Sequence, residues 1–164
     1  MLDDAEIAYR VASWLEHIGK CWARLRDMSD SMDAMAESVD GIRAQSYEPS
    51  GRSGYKADTI GELVVEREEK RARMSYDAQS IMAETAAARR VIGKAWRDNP
   101  GIMDADFAYL MARYGEGEGK AEASRAAGLT AFATFNCARR CAPMLYAADP
   151  SRFARRGERP FTST

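Results

Sequence analysis

The chain's one histidine and three cysteines fall into two pairs, His17 with Cys21 and Cys137 with Cys141. Each pair is spaced four residues apart, which on a helix sets both side chains on one face. Together the four make a Cys3His set, the donor chemistry of a structural zinc site, if the end of the chain docks against its beginning. The competing reading is simpler. Cys21 also belongs to an apolar stripe, and a buried free cysteine is an ordinary small core residue. The core reading is the stronger one, and no cofactor is expected.

Two further constellations fail on their chemistry. Gly115-Glu116-Gly117-Glu118-Gly119-Lys120 resembles a phosphate loop only in outline. Tyr114 stands where the first glycine belongs, Ala121 replaces the hydroxyl that would hold magnesium, and two glutamates would repel phosphate. Asp27, Asp30, Asp33 and Glu37 form an acidic row on one helix, which reads as a solvated face and not as a metal site. No Ser/His/Asp, Cys/His or paired-carboxylate arrangement has a catalytic context. The expectation is a protein that binds and does not catalyse.

Charge points to what it binds. The net charge of -1 conceals a gradient: residues 1–47 carry five basic against nine acidic side chains, whereas from Arg125 onward the count is seven against two. The C-terminal end alone is biased toward a polyanion or an acidic protein surface. No run approaches the roughly 18 apolar residues of a membrane span, and the start, Met1-Leu2-Asp3-Asp4, is acidic where a signal peptide is basic. An odd number of cysteines suits a reducing compartment. A cytoplasmic protein without a membrane partner is the expectation.

The elements that must position these groups are helices. Ile7, Val11, Trp14, Ile18, Cys21, Leu25, Met28, Met32, Met35, Val39 and Ile42 recur at alternating spacings of four and three. Such a heptad keeps one apolar stripe facing a partner along about 54 Å of helix, at about 1.5 Å per residue. The spacing predicts a helix from about Asp4 to Ser46, and Pro49, Gly51 and Gly54 then predict a loop over about 47–56. A second stripe runs Ala57, Ile60, Val64, Arg67, Arg71, Met74, Ala78, Ile81, Thr85, Ala88, Ile92, Ala95, and Pro100-Gly101 ends it. Two long helices joined by a short loop imply an antiparallel hairpin over 1–100, with Arg67 and Arg71 reaching toward Asp33, Glu37 and Asp40. Leu15 and Trp22 widen the first stripe near Val91, Ile92 and Trp96, so a third neighbour is expected there.

Residues 101–148 predict a smaller all-α domain. Phe107, Leu110, Met111 and Tyr114 are spaced as on one helix face. Lys120–Ala127 predicts a short helix, Gly128 a left-handed turn, and Thr130 the cap of a helix running to about Arg140 or beyond, with Pro143 kinking or resetting it. Small Ala123, Ser124 and Ala127 permit close crossing, and Leu129, Phe132 and Phe135 are the expected anchors of the last helix. This is the outline of a helix-turn-helix. Residues 149–164 predict a basic irregular tail.

The layout resembles a family of phage-encoded transcription regulators, the ArpU and RinA type, in which a helical hairpin with a Ser-Gly-containing connection precedes a sigma-region-4-like helix-turn-helix. The matching residues are Pro49-Ser50-Gly51-Arg52-Ser53-Gly54, Leu110-Met111-Ala112-Arg113-Tyr114, Glu122-Ala123-Ser124 and Ala127-Gly128-Leu129-Thr130. The sequence departs from the family pattern at Lys120, where the family has an aromatic residue, and at Ala123, where it has isoleucine. The resemblance implies double-stranded DNA as partner, with host RNA polymerase and a second copy of the chain as further partners. Polar candidates for base contact are Thr130, Thr134 and Asn136. Arg125, Arg139, Arg140, Arg152, Arg155 and Arg156 are candidates for phosphate. The alternative is a coiled-coil structural or adaptor protein, including a small-terminase-like packaging role, whose degenerate motif contacts protein.

Overall fold

A computed structural model describes residues 2–45 and 56–154, apart from the side chains of 38–45, 56–60 and 63. Among the described residues every regular element is helical. The order is α1 (Asp4–Gln45), α2 (Lys56–Asp98), α3 (Asp104–Leu110), a π turn (Met111–Gly115), α4 (Lys120–Ala126), α5 (Ala131–Thr134), α6 (Cys137–Ala148) and a 3-10 turn (Pro150–Phe153). None of these helices is long and apolar enough to cross a membrane. The chain divides into two compact units, one of residues 1–22 with 83–164, the other of residues 23–82. The expected loop over 47–56 and the stripe positions Val39, Ile42, Ala57 and Ile60 lie outside the described residues or side chains.

The larger unit holds the core. Val11 and Leu15 of α1 cluster with Val91, Ile92 and Ala95 of α2 and with Phe107, Leu110, Cys137, Cys141 and Leu145 of the C-terminal helices. The widened stripe around Leu15 and Trp22 thus acquires the neighbour that its width demands. Trp96 stacks on Phe107 with ring centroids 6.3 Å apart and donates from Nε1 to Asp104 Oδ1 at 2.8 Å. The described residues of the smaller unit are less buried. Leu25, Met28, Met32 and Met35 are only half-buried, Val64 is exposed, and Arg24 reaches Asp77 at 3.0 Å. Among the described residues Arg67 and Arg71 make no ion pair with Asp33 or Glu37, and the side chain of Asp40, the third expected partner, lies outside the described ones. Arg71 lies on open surface, where solvation competes with an ion pair worth little.

Three local features differ from the sequence expectation. After Leu110 the helix widens into a π turn, with Glu116 N–H donating to Met111 O at 2.9 Å, before the glycine-rich loop begins. That loop clasps Trp22. The indole Nε1 donates to Tyr114 O at 2.8 Å, and its ring lies where a β-carbon on Gly117 (φ 77°) would sit, 2.5 Å away. Pro143, expected to kink or reset the last helix, lies inside α6, which runs on to Ala148. The tail is not irregular from residue 149. The 3-10 turn buries Phe153 edge-on to Trp14 at 5.2 Å, and buried Arg10 donates to Phe153 O at 3.0 Å.

Candidate nucleic-acid interface

The segment between α4 and α6 is built from local backbone chemistry. Gly128 takes φ 66°, and this left-handed residue lets two N–H groups close the end of α4. Leu129 donates to Ser124 O at 2.9 Å and Gly128 to Arg125 O at 3.1 Å, the paired bonds of a Schellman ending. Two residues on, the Thr130 hydroxyl accepts from Ala133 N–H at 3.2 Å and caps α5. α5 lasts one turn. At Asn136 (φ -104°, ψ 3°) the backbone leaves the helical region, and α6 starts at Cys137.

The break comes with an inversion of the expected faces. Phe132 and Phe135, expected as core anchors, are 85 % and 79 % exposed, and Thr134, expected to face a base, is buried. The reason lies in spacing. Thr134, Cys137, Cys141, Leu145 and Ala148 recur at threes and fours and are all buried, and this smaller stripe fits closely against α3 and α4. Phe132, Phe135, Asn136 and Arg139 occupy the opposite side, at offsets of three, four and seven, and all four are exposed. Leu129, the third expected anchor, is half-buried against the core.

Asp106 is the residue that pins α6 to α3, and sequence spacing alone did not single it out. Its buried carboxylate accepts from Arg140 Nε at 2.7 Å and Nη2 at 2.6 Å, and from the Cys137 thiol at 3.0 Å. Arg140 also donates to Ala133 O at 3.0 Å, which ties the end of α5 into the same knot. The guanidinium hydrogen bonds hold the Asp106 carboxyl below the usual carboxylate range, although burial opposes this. They also raise the affinity of Arg140 for its proton. Arg140 therefore spends Nε and Nη2 within the protein, on Asp106, Ala133 O and Cys137, while its side chain stays 38 % exposed.

The thiols behave as core residues. Burial, reinforced by the Asp106 carboxylate, pushes Cys137 up to about 12, and burial does the same for Cys141. His17 lies 3.6 Å from Cys21 in its own helix. Among the described residues no three His, Cys, Asp or Glu side chains gather as a metal site, so the Cys3His set of His17, Cys21, Cys137 and Cys141 is not assembled.

Of the remaining basic candidates, Arg139 is exposed without an ion pair among the described residues. Arg125 is exposed and within 3.3 Å of Glu122. Arg152 is drawn to Glu84 at 3.5 Å and Asp149 at 3.9 Å, away from its expected phosphate role. Arg155 and Arg156 lie outside the described residues. A cleft of about 180 Å³ lies between α2 and the end of α6, lined by Arg90, Lys94 and Arg152 over Ala87 and Val91. Lys94 already caps Ala148 O there at 2.9 Å. That volume is below the few hundred Å³ of ordinary ligand sites.

No family model, curated protein or solved structure matches this chain.

Proposed function

We propose that the chain is a DNA-binding transcription regulator of phage or prophage type, non-catalytic, in which 101–148 acts as a helix-turn-helix and α1 with α2 as an antiparallel hairpin that carries it. One observation carries the reading. On the side of α5 and α6 away from the core, where a solvated helix would carry only polar groups, stand Phe132, Phe135, Asn136 and Arg139, all exposed. Such a face can serve the start of a recognition helix in a major groove, with a cation for phosphate, an amide for base edges and apolar surface for thymine methyls. The Schellman turn at Gly128 and the Thr130 cap supply the usual connection, and the basic bias from Arg125 onward supplies the field.

Selection of bound fragments from the parent genome at near-physiological salt tests this. Enriched duplexes should show affinity falling steeply with salt. Arg125→Ala with Arg139→Ala should flatten the slope by about 2, one unit for each lost phosphate contact. Absence of any salt-dependent duplex binding rejects the reading. The two exposed phenylalanines favour a second one, an adaptor that presents the same face to a protein partner. It predicts capture of a protein with no enriched DNA.

A further inference from the structure

We infer that Phe132 and Phe135 are specificity-determining residues that read thymine 5-methyl groups in a duplex major groove. This inference rests on the DNA-binding reading and names what that site selects. The two rings lie three residues apart across the one-turn α5 and its exit, 85 % and 79 % exposed. Three residues apart on a helical turn is a neighbouring position, so both rings serve one side of the segment. Neither has a core role, because Thr134 takes the buried place between them and Cys137 follows it inward.

The chemistry of the flanks decides the occupant. Asn136 and Arg139 follow the rings along the chain and Arg125, 3.3 Å from Glu122, lies on the helix before the turn, all exposed. A cation beside an apolar pair fits a polyanion that also offers apolar groups. In the major groove the thymine methyl is the one apolar group on a base edge, and contact with phenylalanine is a known way to read it. Hydrogen-bonded readout is correspondingly sparse. Thr134 is buried with its hydroxyl donating to Ala131 O at 2.8 Å, and the Thr130 hydroxyl oxygen accepts from Ala133 N–H as a cap, which leaves the Asn136 amide and the Thr130 O–H as the exposed polar groups. Specificity here leans on methyl contact. A neighbouring cytosine, which lacks the methyl, would leave the rings facing polar edges and water.

The test uses the full chain and the best duplex recovered from a randomised 20-base-pair pool. That duplex is resynthesised with deoxyuridine at each thymine in turn, which removes one methyl and preserves pairing. At one or two positions affinity should fall about fourfold, the factor a single buried methyl group is worth. Phe132→Ala and Phe135→Ala should each bind thymine and uracil versions alike at one of those positions, with the salt dependence unchanged. Both variants should fold as the parent does by circular dichroism, since neither ring is in the core. If every deoxyuridine duplex binds as well as its thymine parent while binding stays salt-dependent, methyl reading is overturned and the DNA-binding reading stands. If single strands bind better than duplexes, the rings stack on bases and the inference is also overturned. If no duplex binds, both readings fall together.

Discussion

At the scale of single residues, Asp106 ties α3 to α6. It is buried, it meets two nitrogens of Arg140 and the Cys137 thiol, and its carboxyl is held low by those hydrogen bonds. A group whose folded pKa is depressed stabilises above its unfolded pKa, and that stabilisation is lost as pH falls through the folded value. Asp106→Asn should therefore lower stability near neutral pH by about 1–3 kcal/mol. That is less than breaking a fully buried pair, because the Arg140 side chain is 38 % exposed and screened. Urea unfolding at several pH values should show the wild-type advantage shrinking below about pH 4. The cysteines give the opposite sign. With Cys137 and Cys141 raised to about 12, the folded state keeps protons that the unfolded state releases above about pH 9. Stability should fall as pH rises beyond that point, and iodoacetamide at pH 8 should label these two thiols only on unfolding. Labelling in the native protein at the rate of a free thiol would show that they are not buried as described.

At the scale of elements, two glycines with positive φ separate backbone strain from packing. Gly128 ends α4 with φ 66°, and a β-carbon there would meet nothing within 4 Å. Gly128→Ala should cost only the conformational penalty, about 1 kcal/mol. Gly117 combines φ 77° with the Trp22 ring 2.5 Å from its missing β-carbon. Gly117→Ala should cost about 2–4 kcal/mol, since overpacking adds to the strain, and should displace the indole from Tyr114 O. Equal unfolding midpoints for the two variants would contradict this ordering. The same elements show what could be read in advance. Gly128 and Thr130 were legible because each has one backbone job at one position, and the long stripes were legible because the heptad repeats many times. The face of α5 and α6 was not. Phenylalanines at 132 and 135 and the series Thr134, Cys137, Cys141, Leu145 compete for the same core, and hydrophobicity favours the rings. Fit against α3 favours the small residues, and the carboxylate of Asp106 needs Arg140 and Cys137 on that side. Asp106 itself was invisible because its partners lie 31 and 34 residues away.

At the scale of the whole molecule, burial is distributed unevenly. Among the described residues the large side chains that are fully buried, Val11, Leu15, Ile18, Ile92, Phe107, Leu110, Cys137, Cys141 and Leu145, belong to the unit of 1–22 with 83–164. Among the described residues of 23–82 only Ile81 is buried, at 8 % exposure, and the Met28, Met32 and Met35 stretch of the heptad is half open. A heptad fixes which side of a helix is apolar, but the depth of burial depends on how many helices converge. In the larger unit α1, α2, α3, the π turn, α4, α6 and the 3-10 turn, seven helical elements, share one core, and that convergence could not be read from the stripe. Backbone amides open more readily where few apolar contacts close over them. Hydrogen exchange on the full chain should find α3, α6 and the 83–98 part of α2 protected about a hundredfold or more beyond 23–82, a difference of about 3 kcal/mol in opening free energy. The contrast should appear within single helices, with protection in α1 falling past Trp22 and in α2 rising past Met82 although both remain helical across those points. Uniform protection along α1 would mean that 23–82 gains cover from a second copy of the chain. In that case the contrast should return when the protein is diluted below the concentration at which it associates.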